Sequence, residues 1–335
     1  QTRWSMQSTI QLIWENVMGM LEGKNGFLQG KWGSRRVAHG TRTVATAMDP
    51  GCPELGGPRS FDNNTVLVGL NQTIKGTEPL IRDWCMPQGI AREMIDGLNG
   101  KEVRLIDPKT LTPKNVPVTD AIRSLWGTRD GRATIINSLG ESAGRHAPLL
   151  VGGYGLKLIY LHNGNYRLLD DINELPEHLS KEHVRLLTWG EYFYIEAFTI
   201  MDRVMCDVTR YPINGIESVY TSTPYLRTTG GSLIVRPLGE DWVEDTSLPP
   251  LPEFPNVAAQ GEYIDSASPH LSSIPLLNLD YDGDTISVQY LYSDEAVAES
   301  KAKLNDLSHI INSGGNLIRS STTDTLDRVF HNFGG

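Results

Sequence analysis

The chain of 335 residues is 39% hydrophobic and 21% charged, which excludes wholesale disorder and allows two or three compact units. Its formal net charge of −10 argues against a uniformly nucleic-acid-binding surface, and no apolar run reaches the roughly 18–20 residues of a membrane helix. Its cysteines, Cys52, Cys85 and Cys206, form no CxxC pair, so we expect neither a disulfide framework nor a structural zinc site. A reducing, cytoplasmic setting is the default.

The first part of the chain predicts one amphipathic helix followed by a basic loop. From Ser5 to Leu21, apolar residues recur every three or four positions, and Ser5 suits the N-cap. Residues 23–40 are rich in Gly, Lys and Arg and predict a loop, and 42–47 then alternate like a strand. The stretch 23–48 contains no acidic residue and five basic ones, Lys24, Lys31, Arg35, Arg36 and Arg42. Charge alone leaves open whether this is a solvated face or a phosphate-contacting stripe.

The middle of the chain predicts mixed helices and strands. A second helix is expected over 85–98, because Pro87 suits a first helical turn and Gly100 ends the apolar pattern. Residues 149–162 predict strands interrupted by glycines, 189–204 a helix and 232–236 a short strand. Five prolines and many acidic residues between 239 and 273 predict an extended surface insertion or linker.

The most informative segment is the loop 278–284, with the sequence NLDYDGD. Its three carboxylates at alternate positions, Asp280, Asp282 and Asp284, can converge on one hard cation. Mg²⁺ fits this donor set, since it prefers oxygen ligands in octahedral geometry and retains several waters. Gly283 allows the sharp turn that convergence requires. Without a cation or basic neighbours, the three negative charges would repel one another.

Other interpretations of this loop compete with the magnesium site. A helix-loop-helix calcium site needs Gly at its sixth and Glu at its twelfth position. Counted from Asp280, these positions hold Thr285 and Leu291, so that interpretation fails. A metal-dependent hydrolase would be expected to add histidine ligands, but no histidine lies between His270 and His309. A solvated acidic turn stays open.

A strand and then a helix are expected directly after the loop. The residues predicted on the buried face of the strand are Ile286, Val288, Tyr290 and Tyr292. Ser293 is the expected N-cap of the helix, and Asp294 and Glu295 favour its positive end.

The loop and its surroundings resemble the largest (β′-like) subunit of multisubunit DNA-dependent RNA polymerases. That family carries an Asn-x-Asp-Phe-Asp-Gly-Asp loop, which this chain matches with Tyr281 in place of Phe. Ser293, Glu295 and Ala296 match the Ser-x-Glu-Ala helix that follows in the family. Three earlier stretches are similar in the same order: residues 21–44, 86–94 and 209–212. The resemblance covers most of residues 10–330, with large gaps.

The resemblance implies a mixed α+β fold with a double-psi β-barrel core, flanking helices and insertions. It divides the chain into a leading helix (1–22) and a switch-like basic loop with the first part of the barrel (23–130). An insertion or helical region (131–205) and the second part of the barrel with the metal loop (206–292) follow. A helix and tail (293–335) would lead to the next subunit fragment.

The activity that the resemblance implies is addition of NTPs to an RNA 3′ end by two-metal nucleotidyl transfer. Asp280, Asp282 and Asp284 would be the catalytic metal ligands, and a second Mg²⁺ would arrive with the NTP. Arg210 and Asn278 would bind the substrate near its ribose. The residues expected to contact nucleic-acid phosphates are Lys24, Arg35, Arg36 and Arg42, which agrees with the basic stripe.

Some positions depart from the family pattern. Thr209 stands where the family has Asn, Gln29 stands where a basic residue is expected, and Arg210 precedes Asp280 by an unusually long stretch. The family's bridge helix and trigger loop lie beyond the matched region. We therefore expect a split subunit, like those of large tailed phages, or a trimmed piece, since the chain begins with Gln1.

The partners implied are β-like subunits, a further β′-like fragment with the bridge helix and trigger loop, a promoter-specificity subunit, and DNA template and RNA product, but no membrane. The enzyme would act in the host cytoplasm or be packaged in the virion. Two alternatives are weighed. An RNA-dependent RNA polymerase of the double-psi barrel type is disfavoured by the match over residues 23–44. A non-catalytic assembly subunit is disfavoured because it has no reason to keep three self-repelling carboxylates.

Overall fold

The computed structural model describes residues 2–22, 26–28, 38–48, 61–211, 213, 218–258, 261–304, 306, 311 and 314–317. The chain divides into two units, residues 1–40 and 41–335. None of the helices in the described ranges is both long and apolar enough to cross a membrane. Of the cysteines in those ranges, Cys85 and Cys206 are free and buried.

The first unit is built on α1, which spans Thr2–Leu21 and confirms that a helix lies here. The N-cap predicted at Ser5 is wrong, because the helix begins before Ser5. Two hydroxyl groups bond back to the helix backbone, since Ser8 Oγ donates to the carbonyl of Trp4 and Thr9 Oγ1 to that of Ser5. The large apolar side chains that the structure exposes on this helix are Trp4, Met6, Ile10, Leu12, Ile13, Trp14, Val17 and Met20. The periodic stripe predicted from the sequence is therefore present on the helix.

The second unit is a mixed α/β structure. Its strands, with β1 at the boundary of the units, are β1 (Gly40–Val44), β2 (Thr65–Gly69), β3 (Glu102–Ile106), β4 (Pro113–Pro117), β5 (Leu150–Val151), β6 (Tyr154–Gly155), β7 (Leu158–His162), β8 (Asn165–Leu169), β9 (Val184–Leu186), β10 (Met205–Thr209), β11 (Val219–Arg227), β12 (Leu233–Pro237), β13 (Leu251–Phe254), β14 (Ala267–Pro269) and β15 (Thr285–Leu291). The helices are α2 (Leu70–Gly76), α3 (Glu78–Leu80), α4 (Met86–Gln88), α5 (Arg92–Gly97), α6 (Asp120–Gly127), α7 (Arg129–Ser138), α8 (Ser142–His146), α9 (Trp189–Phe198) and α10 (Asp294–Leu304).

A curled, half-barrel sheet of six strands carries the candidate site. Its order is β1-β15-β10-β11-β2-β14. Strand β10 pairs antiparallel with β11 and β15, β14 pairs antiparallel with β2, and β11 pairs parallel with β2. A parallel bridge between Ala45 and Ala267 joins the two edges, and Thr46 N donates to the Ala267 carbonyl over 3.0 Å. The edges of the half-barrel therefore meet at this point.

The pairing in this sheet has an internal two-fold pattern. The pattern of strand neighbours stays the same if β1 is exchanged with β11, β2 with β14, and β10 with β15. The neighbours β1 and β15 then become β11 and β10, and the parallel pair β11 and β2 becomes the bridged pair β1 and β14. The other two pairs, β10 with β15 and β2 with β14, map onto themselves. The two halves of the sheet are thus connected in the same way.

The burial pattern of β15 confirms the alternation of buried and more exposed residues that was predicted from its sequence. Ile286, Val288 and Tyr290 are at most 1% exposed, whereas the residues between them are half-buried. Tyr292 lies just after the strand and packs partly buried against the same core. Ser293 caps α10 as predicted, because Ala296 N donates to its Oγ over 3.2 Å.

Residues 70–204, all of which are described, contribute none of the six strands. They form α2–α9 and most of two further sheets, ordered β4-β3-β6-β5 and β13-β12-β8-β7-β9. A second, larger core joins these elements around Trp126, Tyr192 and Phe193. The region 131–205, predicted as an insertion or helical region, therefore also contains strands. The glycine-interrupted strands predicted over 149–162 are present as β5, β6 and β7.

The helix predicted over 85–98 is interrupted. A π-helical turn ends at Cys85, α4 ends at Gln88, and the backbone leaves helical geometry at Gly89 before α5 begins. Ile90 N donates to Glu196 Oε1 over 2.8 Å, and a Cβ on Gly89 would lie 2.1 Å from Glu196 Oε2. The carboxylate of Glu196, which lies in α9, thus occupies the space that a side chain at position 89 would need.

Two further elements differ from their predicted extent. The helix predicted over 189–204 ends at Phe198 and is followed by a 3₁₀ turn at Met201–Arg203. The proline-rich stretch 239–273 is more than a surface linker, because it supplies β13 and the fully buried β14. The short strand predicted at 232–236 is confirmed as β12.

Glu196 makes the larger core sensitive to pH. Its side chain is buried, and desolvation raises its pKa from 4.5 to about 7 although Ile90 N donates to it. The folded chain therefore holds this proton more tightly than the unfolded chain, so stability falls as pH rises from 4.5 to 7. At about 1.4 kcal/mol per pKa unit, the loss is roughly 3 kcal/mol. We expect Glu196→Gln to remove this loss when urea unfolding is compared at pH 5 and pH 8.

The control for that measurement is the exposed Glu177, substituted in the same way. Glu177→Gln should retain the full pH dependence of the wild type. If Glu196→Gln also retained it, Glu196 would be ionised in the folded chain at pH 5, and its predicted protonation would be wrong.

Candidate metal centre

The acidic loop is held by backbone hydrogen bonds and two buried leucines. Leu277 N donates to the Ser273 carbonyl and Leu279 N to that of Ile274, each over 3.0 Å. Both leucines are buried in the core of the six-stranded sheet, whereas Asn278 between them is exposed. Because the two leucines face the core, Asn278 and Asp280 face the solvent. The loop therefore has an anchored start.

Two residues in the loop adopt left-handed backbone conformations. Asn278 has φ of 45° and Gly283 has φ of 115°. Asn tolerates the left-handed region better than most residues, and Gly adopts it without a steric penalty. The turn predicted at Gly283 is confirmed, and it brings Asp284 back toward Asp280. Asp280 N donates to Asp284 Oδ2 over 3.3 Å across this turn.

The three predicted metal ligands converge. One carboxylate oxygen from each of Asp280, Asp282 and Asp284 lies within 4.8 Å of the other two. Oxygen ligands of an octahedral ion at about 2.1 Å are about 3 Å apart when adjacent and about 4.2 Å apart when opposite. The donor set therefore fits Mg²⁺, with exposed faces left for water and a substrate oxygen.

Arg210 enters the same cluster from a neighbouring strand. It follows β10, whose last residue, Thr209, pairs with Ser287 in β15. Its Nε lies 2.6 Å from Asp284 Oδ2, and its Nη2 donates to Asp284 Oδ1 over 3.0 Å. This is the two-point geometry typical of a guanidinium bound to a carboxylate. The structure therefore brings Arg210 to the acidic loop, and its role in substrate binding stays a prediction.

The electrostatics of the cluster are uneven. The Arg210 hydrogen bond lowers the pKa of Asp284, and Asp284 in turn raises the pKa of Arg210. A hydrogen bond with Asp282, together with the nearby negative charges, raises the pKa of Asp280. If all three carboxylates were ionised, one guanidinium could not balance their charge, and Asp280 and Asp282 would repel each other. A divalent cation has the charge that would relieve this repulsion.

The predicted nucleic-acid-binding residues fall into two groups. Arg42 lies beside the metal loop, since its Nε donates to Thr285 Oγ1 over 3.0 Å and its side chain is exposed. Lys24, Arg35 and Arg36 lie outside the described residues. Thr285 was not singled out from the sequence, although its place directly after Asp284 would have been a signal.

The residue types and the exposure of the cluster can be compared with a hydrolase site and with a solvated acidic turn. Within the described part of the chain, Asp280, Asp282 and Asp284 form the one set of three or more His, Cys, Asp or Glu side chains close enough to share a metal ion. The set contains no histidine, in contrast to the donor set expected of a hydrolase. Asp280 and Asp282 are solvent-exposed, as both a solvated turn and a substrate-accessible metal site require.

Comparisons with known proteins add no identification. Neither protein-family models nor the curated proteins yield a match to this chain.

Proposed function

We propose that this chain is the catalytic, β′-like part of a multisubunit DNA-dependent RNA polymerase. One observation carries the proposal: three carboxylates converge at the start of a central strand, and Arg210 arrives beside them from the adjacent strand. Such a cluster suits phosphoryl chemistry, in which the protein chiefly binds cations and positions phosphate and ribose groups.

The strand pairing supports a double-psi β-barrel. A fold of that kind consists of two similar halves that interlock, and the six-stranded sheet maps onto itself when its halves are exchanged. The metal loop precedes β15, the last strand of the second half, and Arg210 follows β10, the last strand of the first half. Because these strands pair with each other, the residues at their adjoining ends share one site.

Different residues of the chain would have different roles in nucleotidyl transfer. Asp280, Asp282 and Asp284 would hold Mg²⁺, which when bound supplies Lewis-acid activation of the RNA 3′-hydroxyl. Arg210 and Asn278 would orient the ribose of the incoming NTP, and a second Mg²⁺ would accompany its phosphates. Arg42 is exposed beside the loop, where it would contact a phosphate of the nucleic acid. The reaction is an in-line displacement that depends on positioning and charge stabilisation.

The proposal requires partners. A β-like subunit and a second β′-like fragment with the bridge helix and trigger loop would complete the active centre, and a promoter-specificity subunit would direct it. A phage enzyme of this kind would work in the host cytoplasm or from within a virion.

The test uses the complex purified with its natural partners. We expect it to incorporate NTPs into RNA on a DNA template when Mg²⁺ is present, and to show little incorporation on single-stranded RNA. Labelled NTP incorporation on both templates measures the difference. Preference for the RNA template would favour the RNA-dependent alternative. No incorporation on either template by the fully assembled complex would favour the assembly-subunit alternative.

A further inference from the structure

A cavity lined by both polar and apolar residues lies away from the acidic loop, where the edges of the six-stranded sheet meet. It has a volume of about 340 Å³, which is within the roughly 300–1,000 Å³ range of small-molecule sites. Thr46, Ser266 and Ser268 contribute hydroxyl groups to its wall, Arg227 contributes a guanidinium, and Leu67 is one of its apolar residues. The bridge between Ala45 and Ala267 sets its position. Nothing in the proposed nucleotidyl transfer uses these side chains.

The three hydroxyl groups form a connected set. Thr46 Oγ1 lies 3.0 Å from Ser266 Oγ and 2.8 Å from Ser268 Oγ. Each of these two hydrogen bonds uses one hydroxyl proton, and three hydroxyl groups carry three protons. One proton is therefore left over, and it can be donated to a ligand oxygen. The three hydroxyl groups therefore offer one hydrogen-bond donor on the cavity wall that contains Thr46, Ser266 and Ser268.

Arg227 has donors to spare. Its Nε lies 3.3 Å from Glu253 Oε2 but makes no hydrogen bond, and its Nη groups make none to the described residues. Glu253 is 1% exposed and also accepts from Ser232 Oγ and Tyr225 Oη, so its charge is shared among several donors. A guanidinium with free Nη groups matches two oxygens of a phosphate. Arg227 is the one charged residue that lines the cavity.

We propose that this cavity binds a phosphate group. Arg227 would donate to two phosphate oxygens, and the spare proton of the Thr46–Ser266–Ser268 set would be donated to a third. A tetrahedral anion satisfies donors on separate walls better than a planar carboxylate does. Leu67 and Ile264 give the cavity apolar surface against which the rest of a phosphate ester can pack. The group belongs either to a free nucleotide or to a nucleic-acid backbone.

The test is calorimetric titration of the full chain with two probes, uridine 5′-monophosphate and a twelve-residue oligothymidylate. Divalent cations are left out, and Asp282→Asn serves as the background so that the acidic loop does not contribute. We expect Arg227→Met to weaken binding about tenfold, because it removes a charge-assisted, two-point contact. Thr46→Val, which keeps the side-chain shape but removes the hydroxyl, should weaken binding about fivefold.

The matched control is Arg236→Met, on the exposed surface of β12, where Arg236 pairs with Glu244. It should change the affinity less than twofold. If the mononucleotide binds at least as tightly as the oligonucleotide, the ligand is a free phosphate ester. Tighter binding of the oligonucleotide that Arg227→Met weakens identifies a nucleic-acid phosphate. The proposal is overturned if neither probe binds, or if the wild-type affinity survives in Thr46→Val and in a folded Arg227→Met. Because the acidic loop is inactivated throughout, either result leaves the polymerase proposal to its own test.

Discussion

Substitution of Asp282 by Asn should lower RNA synthesis by the assembled complex by on the order of 10³-fold or more while leaving folding and assembly intact. Asp282 is exposed and lies on a turn, so Asn can occupy its place without a packing penalty. The amide keeps the shape but removes one of three negative charges that would jointly hold the ion. Because the ligands act together, the loss of one should affect the whole site.

The measurement has three parts. Extension of a labelled RNA primer at saturating Mg²⁺ reports turnover, and size-exclusion chromatography reports assembly. Replacement of Mg²⁺ by Fe²⁺, followed by hydroxyl-radical cleavage, reports whether an ion is bound. Cleavage should occur near residues 280–284 in the wild type and be weak in Asp282→Asn.

A matched control is Asp96→Asn, since the Asp96 side chain is 69% exposed and lies outside the loop. It should leave turnover and iron cleavage unchanged. Wild-type elongation by an assembled Asp282→Asn complex would remove the basis of the proposed active centre. Retained cleavage together with lost turnover would mean that the loop still binds the ion and that Asp282 has another role.

Truncation of Tyr290 to Ala should destabilise the six-stranded sheet by roughly 3–5 kcal/mol, the usual cost of deleting a buried aromatic side chain. Tyr290 is 1% exposed, and its ring fills the space between β15 and α2. A Cβ on Gly76 would lie 2.4 Å from its Cδ2, which shows how closely the ring approaches the helix. Since β15 follows the metal loop directly, the same change should also weaken cation binding.

Tyr290→Phe separates packing from hydrogen bonding. The Tyr290 hydroxyl shares a 2.9 Å hydrogen bond with Thr73 Oγ1, which also donates to the Gly69 carbonyl. Loss of this one hydrogen bond should cost about 1 kcal/mol. Urea unfolding followed by circular dichroism measures both variants. Equal losses in the Ala and Phe variants would mean that the ring contributes little to the packing.

The elements that could be predicted from the sequence are those whose signal is local. Strand β15 follows from the alternation of Ile286, Val288 and Tyr290, and α10 from the cap at Ser293. The turn at Gly283 and the convergence of the aspartates follow from a spacing of two residues on one loop. Each of these depends on neighbours within a few positions, so no tertiary contact was needed to predict it.

Contacts between distant segments account for what the sequence did not predict. The break at Gly89 depends on Glu196, which lies 106 residues from Ile90. The burial of β14 depends on its pairing with β2, which the prolines around it obscure. Arg210 was assigned to the site through the family resemblance and not through any local pattern. The cavity at Arg227 draws on segments around residues 46, 67, 227 and 266, so no single stretch reveals it.

Strand order in the curled sheet also has a consequence for biosynthesis. In β1, Thr41 Oγ1 donates to the carbonyl of Val288, 247 residues further along the chain. At about 5–20 residues per second, the ribosome would need about 12–50 s to make the intervening polypeptide. Strand β1 is therefore synthesised long before its neighbour β15. The acidic loop is among the last parts of the sheet to be synthesised. The ion pair between Arg210 and Asp284 can therefore form only after almost the whole sheet has been synthesised.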